Sequence, residues 1–446
     1  MATEPPGPES RRLAEALSRY ESPAISTISA GQVPIFWAEA KGANVVDADG
    51  NTYIDMTSAF GVASVGHAHP KVVRAMGRQA QRLVHGMGDI YPHPLRAELA
   101  RRLAEIAPGR LEKCLFGSTG AEAVELALKT AARFTGKPGV IAFHGAFHGQ
   151  SFGALGATAR RYFRDPFISQ IPGNVVHAPY PYCYRCPWGE DCPSCVRACL
   201  HYVEHLLDNP SSGVPPIGAI LVEPVQGRDG EIVPPPEFLP GLESIARKRG
   251  LLLIVDEIMT GLGRTGRMFA VEHWGVQPDI MCLGKALGGG FPISICTGTA
   301  EVMDAWSYAS GEPPHSSTFM ANPMGCAAAL ATLEVIEEER LIARSQRLGD
   351  YLKAGLLKLE RRFPIIGEVR GLGMMAGMEL VKDRSTKEPA TEETRRVIRE
   401  ALRHGVILLA GGTYGNVISL EPPLVITRRQ LDYAIDILQG CLRGIY

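Results

Sequence analysis

The sequence predicts an α/β fold with a large domain, in which helices sandwich a mostly parallel sheet, and a smaller α+β domain. Two features of the chain predict it. Through the middle, short apolar runs alternate with amphipathic helical segments, and each run ends at a glycine-rich or polar turn. Later, charged helical segments alternate with short strand-like stretches. Continuous apolar runs are typical of strands that are buried on both faces of a parallel sheet.

Six apolar runs are predicted to be strands of the large domain. They span residues 113–116, 140–143, 219–222, 251–255, 280–283 and 293–296. In parallel sheets the polar residues just beyond the strand ends face the ligand crevice, and we expect Glu223 and Asp256 there. The segment 121–134, which follows the first run, has apolar residues at helical spacing and is a predicted helix.

The C-terminal part is predicted to alternate helices with short strands. We expect one long charged helix over 333–363, strands over 369–381, a helix over 392–405, strands around 406–410 and 416–420, and a closing helix. The closing helix is predicted to begin at Thr427, because Thr427 and Gln430 match a capping box.

Near the N-terminus, the segment 44–56 is a predicted hairpin with an Asp49-Gly50 turn. We expect this hairpin to pack on the small domain. A chain of 446 residues is long for one core. The predicted division is an N-terminal segment packing with the small domain (1–66), a large domain (67–330) and a small domain (331–446).

The composition favours an enzyme that acts on small molecules. The net charge of -1 gives no field that would attract nucleic acid or anionic lipid. No apolar stretch is long enough for a membrane span. The polar, Pro-rich N-terminus, with Glu4 and Glu9, predicts neither a signal nor a transit peptide. We therefore expect a cytoplasmic protein whose ten cysteines are thiols rather than a disulfide scaffold.

Lys285 carries the first chemical signal. It lies between the apolar run IMCLG and the glycine-rich segment ALGGGFP, at a predicted strand end. A buried lysine is unfavourable unless its charge is paired or removed, for example in an imine. Pairing with a nearby carboxylate is the alternative. A phosphate-binding loop is rejected, because the GxxxxGK[ST] spacing is absent and Ala286 replaces the metal-binding hydroxyl.

Two other features complete the pattern. Asp256 ends a buried strand, where a carboxylate needs a cationic partner such as a protonated pyridine nitrogen; a helix cap is the alternative. The segment GSTGA at 117–121 links a strand to a helix, where N–H groups and hydroxyls suit a phosphate; an ordinary N-cap is the alternative. Together with Lys285, these features supply an imine-forming amine, a counter-ion for a pyridine nitrogen and a phosphate site.

The chain resembles the class III aminotransferases of the fold-type-I pyridoxal-phosphate superfamily, from about residue 30 to its end. Six ordered segments carry the resemblance: STGAEAVELALK, FHGAFHGQS, VEPVQG, VDEIMTGLGRTG, CLGKALGGGFPIS and HSSTFMANP. The first resembles the family's phosphate-binding segment, the fifth its lysine segment, and the last the segment that crosses to the neighbouring subunit.

The resemblance implies a role for each matching residue. It makes Lys285 the Schiff-base lysine and Asp256 the partner of the pyridine nitrogen, and these two are the implied catalytic residues. The other implied cofactor-binding residues are Thr119, Gly120 and Ala121 at the phosphate, Phe147 stacked on the ring, His148 beside it, Glu223 towards the substrate, Met259 near the ring hydroxyl, and Thr318 from the neighbouring subunit. A phosphate shared between chains implies a homodimer with active sites at its interface.

The resemblance also implies the reaction. With pyridoxal 5′-phosphate, the enzyme is expected to transfer an amino group from an amine or an α- or ω-amino acid to an oxo acid, by a ping-pong mechanism with Lys285 as general base. An amino-acid racemase or epimerase and a decarboxylating transaminase are alternatives on the same scaffold. The intact Lys285 and Asp256 disfavour a binding protein without catalysis. The missing phosphate-loop pattern disfavours a nucleotide-binding module.

Two positions depart from the family pattern. Met259 stands where many relatives have a glutamine that hydrogen-bonds the ring hydroxyl. Ser419 stands where many have an arginine that binds the substrate carboxylate, and no arginine occurs over 405–427. Loss of a bidentate guanidinium removes a natural carboxylate clamp. We therefore expect a weaker preference for amino donors whose carboxylate would meet that arginine, with simple amines or longer ω-amino compounds favoured as donors. We expect pyruvate ahead of 2-oxoglutarate as acceptor.

A cysteine cluster and several histidines have spacings that a metal site could use. The cluster contains two CxxC pairs and consists of Cys183, Cys186, Cys192, Cys195 and Cys199. Its short spacer is poor for a zinc ribbon, so we favour a structural or redox-labile loop over a metal site. The family segments account for His67, His69, His144 and His148, and no metal is predicted there. The charged run 337–340 is predicted to be a solvated helix face.

Overall fold

A seven-stranded sheet and two four-stranded sheets organise the fold, in the computed structural model that describes residues 1–190, 192–308 and 311–445. The strands are β1 (Trp37–Lys41), β2 (Asn44–Asp47), β3 (Thr52–Asp55), β4 (Leu111–Gly117), β5 (Gly139–Phe143), β6 (Val175–Ala178), β7 (Ile217–Val222), β8 (Leu252–Asp256), β9 (Ile280–Leu283), β10 (Ser294–Thr299), β11 (Ile366–Leu372), β12 (Met375–Leu380), β13 (Val406–Ile407), β14 (Leu409–Gly411) and β15 (Val417–Leu420).

The helices range from single turns to more than five turns. They are α1 (Pro8–Tyr20), α2 (Ser26–Ser29), α3 (Ser58–Gly61), α4 (Pro70–Ala80), α5 (Pro94–Ile106), α6 (Gly120–Thr135), α7 (Phe152–Ala157), α8 (Arg161–Arg164), α9 (Ser194–Asp208), α10 (Phe238–Arg249), α11 (Ala300–Met303), α12 (Pro323–Glu338), α13 (Leu341–Arg362), α14 (Thr391–Arg403) and α15 (Arg428–Arg443). In α3, Ala59 and Phe60 have left-handed backbone angles, so this turn is not a regular α-helix.

The central sheet has the order β4-β10-β9-β8-β7-β5-β6. Strands β5 to β9 are parallel to their neighbours, and only β10 runs antiparallel, between β4 and β9. This confirms the predicted α/β class, and each of the six predicted runs falls on a strand. The edge strand β6 was not predicted, because its residues are only partly buried up to Ala178 and form no continuous apolar run.

Both faces of the central sheet are covered. Leu221 of β7 and Ile254 of β8 pack in one apolar cluster with residues of α6. Ile220 and Leu253, their neighbours along the strands, pack in another with residues of α10. Successive side chains point to opposite faces of a strand, so two-sided burial makes every position apolar. The carboxyl ends of β7, β8 and β9 therefore lie together at one edge, where Glu223, Asp256 and Lys285 follow.

The two smaller sheets join distant parts of the chain. One has the order β1-β2-β3-β13, and β13 pairs in parallel with β3 of the N-terminal hairpin. The other has the order β11-β12-β15-β14. The hairpin turns at Gly50, whose φ of 81° suits glycine, and the capping box at Thr427 and Gln430 is present. The predicted division at 66/67 and 330/331 stays a prediction.

The single long helix expected over 333–363 was wrong. The chain forms α12 and α13 instead, and Arg340 between them has a φ of 51°. A side chain with Cβ is strained in this left-handed region, and one such residue is enough to redirect a helix. The charged run 337–340 is exposed as predicted, but Glu339 and Arg340 lie at the break rather than on a helix face.

The expectation that the cysteines are free thiols was wrong for two of them. Cys183 and Cys192 form a disulfide, with their Cα atoms 6.1 Å apart. The spacing of the cluster did not predict this pairing, which depends on how the loop before α9 folds back. In the described residues, no group of three or more His, Cys, Asp or Glu side chains is arranged to hold a metal. None of the helices that are described has the length and apolarity to cross a membrane.

Candidate active site

Lys285 lies at the centre of the candidate site, just after β9. It begins a short 3-10 turn, Lys285–Gly288, and its φ of 40° is unusual for a residue with a side chain. Its Nζ lies 3.1 Å from the sulfur of Met259, a weak acceptor. Desolvation lowers the pKa of Lys285, although the nearby carboxylates of Glu421 and Asp256 oppose this. The amine is thus partly buried and has no anionic partner within hydrogen-bonding distance among the described residues.

Asp256 ends β8 and is buried, with a hydrogen bond at each carboxylate oxygen. The backbone N–H of Ile258 donates to Oδ1 at 3.0 Å, and Nδ1 of His148 lies 2.7 Å from Oδ2. Burial alone lowers the pKa of His148, but the hydrogen bond and charge of Asp256 raise it overall. The pair holds the carboxylate in one orientation at the edge of the sheet.

Glu223 follows β7 and connects two loops of the site. Its Oε1 accepts a hydrogen bond from the backbone N–H of Phe147 at 2.9 Å, and its Oε2 accepts one from Gly227 at 3.2 Å. Burial raises the pKa of Glu223 to about 7. The side chain therefore positions the segment that carries Phe147 and His148.

The predicted phosphate segment joins β4 to α6. Thr119 is the N-cap of α6 and forms a capping box with Glu122. The carboxylate of Glu122 also accepts the N–H groups of Ser118 and Thr119. The described residues supply no acceptor for the N–H groups of Gly120 and Ala121, which belong to the first turn of the helix. A Cβ on Gly120 would lie 3.1 Å from the side chain of Ile258, so this turn packs directly against the loop after Asp256.

The remaining predicted residues are placed in different ways. Phe147 is half-buried and meets the ring of Phe163 edge-on, at 5.6 Å between centroids. Met259 contacts Lys285. Thr318 is exposed and lies beside Gly88, outside the network of contacts around Lys285.

Three residues of the site were missed by the sequence analysis. Glu421, buried, acts electrostatically on Lys285. The guanidinium of Arg264, also buried, binds the hydroxyls of Ser58 and Ser64 and the carbonyl of Pro422. A Cβ on Gly61 would come within 2.7 Å of the Met259 sulfur and 3.8 Å of Lys285 Cδ. These contacts join segments far apart in the chain, and no local pattern could have revealed them.

The site residues fit pyridoxal 5′-phosphate. A desolvated amine suits an aldehyde, and the buried carboxylate of Asp256 suits a cationic ring nitrogen. The first turn of α6 offers N–H groups to a phosphate. The observation that carries this fit is that Lys285 contacts a sulfur rather than an anion, while Asp256 and His148 remain buried beside it.

Comparisons with known proteins agree with this fit. The family model described as "Aminotransferase class-III" matches residues 25–442. The chain is 38% identical over 441 residues to the leucine/methionine racemase of Thermococcus litoralis, covering 97% of this chain and 96% of that protein. It is also 38% identical over 413 residues to a probable 4-aminobutyrate aminotransferase of Bacillus subtilis, covering 91% of this chain and 92% of that one.

A solved structure shares both the fold and part of the sequence. It is an amine transaminase from an uncultivated Pseudomonas species, determined with pyridoxal phosphate bound. The TM-score is 0.88 at 30% identity, and the match covers 96% of this chain and 98% of that one. The relatives thus include racemases as well as aminotransferases.

Glu257, next to Asp256, yields a prediction about pH. Its carboxyl accepts a hydrogen bond from the N–H of Val271 at 2.9 Å, and burial raises its pKa from 4.5 to about 7. When folding raises the pKa of a carboxyl group, its protonation stabilises the folded state at low pH. This contribution is complete below the pKa of the group in the unfolded chain, and it is lost as the pH rises through its pKa in the folded protein. Between about pH 4 and pH 8, we expect the unfolding free energy of wild type to fall relative to that of Glu257→Gln by about 2–3 kcal/mol.

Urea unfolding of both proteins across this range measures the difference. Exposed Glu15, changed to Gln, serves as the control and should run parallel to wild type. Parallel curves for wild type and Glu257→Gln would contradict the prediction.

Proposed function

Since the chain belongs to the class III aminotransferase family, we propose that it transfers an amino group from an amine or an α- or ω-amino acid to an oxo acid, with pyruvate the favoured acceptor. The family uses pyridoxal 5′-phosphate, which is therefore the cofactor of this enzyme. The observation that best supports the proposal is the desolvated amine of Lys285 beside the Asp256–His148 pair.

Each residue of the site has a proposed part in holding the cofactor. Lys285 would bind its aldehyde carbon and Asp256 its pyridine nitrogen, with Phe147 against the ring. Thr119, Gly120 and Ala121 would hold the phosphate, and Thr318 of the partner subunit would complete that site. When bound, the cofactor supplies an electrophilic carbon and a ring that withdraws electrons.

The chain's own residues account for the proton transfers. Once the substrate amine takes the place of Lys285, the free Nζ is a base next to the α-carbon. Its lowered pKa makes the neutral form more accessible than in an ordinary lysine, and that form can accept the α-proton and return it elsewhere. His148, 2.7 Å away, fixes the orientation of the Asp256 side chain, which would lie next to the ring nitrogen of the bound cofactor.

A racemase is the second candidate function. It is favoured by the 38% identity to the leucine/methionine racemase of Thermococcus litoralis. The same lysine and aspartate serve both reactions, because each begins with removal of the α-proton. Transamination consumes an oxo acid, whereas racemisation does not.

A homodimer is part of the proposal, and an exposed apolar patch supports it. The patch surrounds Thr318 and consists of Val84, Met87, Ile90, Tyr91 and Phe319, each more than half exposed. The Asn322 side chain donates to the carbonyl of Val84, and the rings of His85 and Phe319 are 5.2 Å apart, so the two segments form one surface. Apolar patches of this kind mark protein–protein contacts.

A donor–acceptor panel tests the proposed reaction. Holoenzyme is supplied with alanine, leucine, 4-aminobutyrate and 1-phenylethylamine, each with pyruvate or 2-oxoglutarate, and oxo product is measured. We expect transfer with at least one donor and a higher initial rate with pyruvate. Lys285→Ala should be inactive, and exposed Lys113→Ala should match wild type.

Exchange of the α-proton separates the two candidate functions. Leucine is incubated in deuterated water without any oxo acid, and its chirality is followed. Inversion at a rate above the best transamination rate would replace the aminotransferase proposal by the racemase. A clear preference for 2-oxoglutarate would contradict the acceptor assignment alone.

The dimer and the role of Thr318 are tested together. Light scattering should give twice the 48.1 kDa mass of the chain. Thr318→Ala should remain dimeric and bind the cofactor about 10-fold more weakly, which is the typical loss for one hydrogen bond to a charged group. The neighbouring Ser317→Ala is the matched control. A monomer with full activity, or unchanged affinity in Thr318→Ala, would contradict the assignment.

A further inference from the structure

Arg228 lies at the candidate site, although the sequence analysis gave it no role. It follows Gly227, where a Cβ would lie 3.2 Å from Cγ of Met259. The sulfur of Met259 is in turn 3.1 Å from Nζ of Lys285. Arg228 is an exposed residue and the next residue in the chain after Gly227.

The guanidinium of Arg228 lies along the strand that pairs with the Ser419 strand. Its Nη1 donates to the carbonyl oxygen of Ala410 on β14 at 3.2 Å. Ala410 is opposite Ile418 on β15, and the preceding residue, Leu409, is opposite Ser419. A guanidinium from one loop thus lies near the strand position where the family arginine is missing.

Ser419 itself is enclosed by neighbouring groups. A Cβ on Gly411 would come within 2.5 Å of its Oγ. The Ser419 hydroxyl also hydrogen-bonds the buried carboxyl of Glu231. This position is filled by a small residue, and the nearby cation comes from Arg228 instead.

A second cation, Arg160, lies beside Arg228. Nη2 of Arg160 donates to the carbonyl oxygens of Arg228, at 3.4 Å, and of Gly412. Asp229 and Glu231 are the nearby carboxyl groups. Asp229 lies 3.6 Å from Arg160 and accepts a hydrogen bond from Thr413. Partial desolvation and the charge of Arg160 lower the pKa of Arg228. Among the described residues, the Arg228 guanidinium hydrogen-bonds only the carbonyl oxygen of Ala410, so its other N–H donors can meet an anion.

We propose that Arg228 binds the carboxylate of the substrate, in place of the arginine that Ser419 replaces. The inference rests on the proposed function, since it names the group that recognises the oxo acid and amino acid substrates of that reaction. Arg228 offers a planar pair of N–H donors that matches a carboxylate. Although no arginine occurs over 405–427, Arg228 gives the site a carboxylate anchor, that is, a group that binds the substrate carboxylate. One such group matches the single carboxylate of pyruvate.

Propionate, which has a carboxylate but no amine or oxo group, is the binding probe. Its affinity for the holoenzyme is measured by calorimetry in wild type, Arg228→Gln and Arg228→Lys. We expect Arg228→Gln to bind it about 10- to 100-fold more weakly, as for loss of a charge-assisted hydrogen-bonded pair. Arg228→Lys should be intermediate, because it keeps the charge and loses the paired donors. Exposed Arg161→Gln is the matched control and should equal wild type.

Kinetics then separate carboxylate recognition from a structural role. In Arg228→Gln, kcat/KM should fall for pyruvate and alanine, mainly through KM, and stay within about twofold for ethylamine, which lacks only the carboxylate of alanine. An equal loss for ethylamine would show that Arg228 only fixes the loop against Ala410, and would overturn the inference. Unchanged propionate affinity, or no propionate binding by wild type, would overturn it as well.

The two proposals fail in distinguishable ways. If wild type transfers no amino group but binds propionate through Arg228, the proposed reaction fails and the carboxylate anchor stands. If wild type transfers amino groups and Arg228→Gln is indistinguishable from it, the anchor fails and the reaction stands.

Discussion

The site depends on desolvation of one amine. Lys285 lies at the carboxyl edge of a parallel sheet, and burial lowers its pKa while its closest partner is the weakly polar sulfur of Met259. The nearby carboxylates of Glu421 and Asp256 oppose this shift without reversing it, so the neutral, reactive amine is more accessible than in an exposed lysine. Lys285 also has a positive φ. Because strained backbone persists only where the surrounding structure holds it, this angle indicates that the position of Lys285 is fixed by its neighbours.

The remaining groups of the site are held in place by buried carboxylates at the ends of neighbouring strands. Asp256 after β8 fixes His148, and Glu223 after β7 fixes the backbone of Phe147 and Gly227. These contacts connect the loop after β5 to the centre of the sheet. The parallel order of β5, β7, β8 and β9 is therefore what brings an amine, a buried carboxylate and an aromatic ring into one place.

Local patterns in the sequence predicted the central sheet and the central chemistry. Strands that are buried on both faces are apolar at every position, so β7, β8 and β9 could be predicted from the sequence. The polar residues at their ends indicated where the site lies. Two features could not be predicted in this way. The edge strand β6 is only partly buried, and the break at Arg340 depends on one backbone angle. Glu421 and Arg228 were missed for another reason. Their proximity to the site is created by tertiary contacts with residues more than a hundred positions away.

Covalent attachment of the cofactor to Lys285 is the central claim, and trapping with borohydride measures it most directly. Reduced holoenzyme is digested, and the peptides are sequenced by mass spectrometry. We expect a pyridoxyl group on Lys285 and on no other lysine. An unmodified Lys285, in protein that retains its cofactor absorbance before reduction, would contradict it.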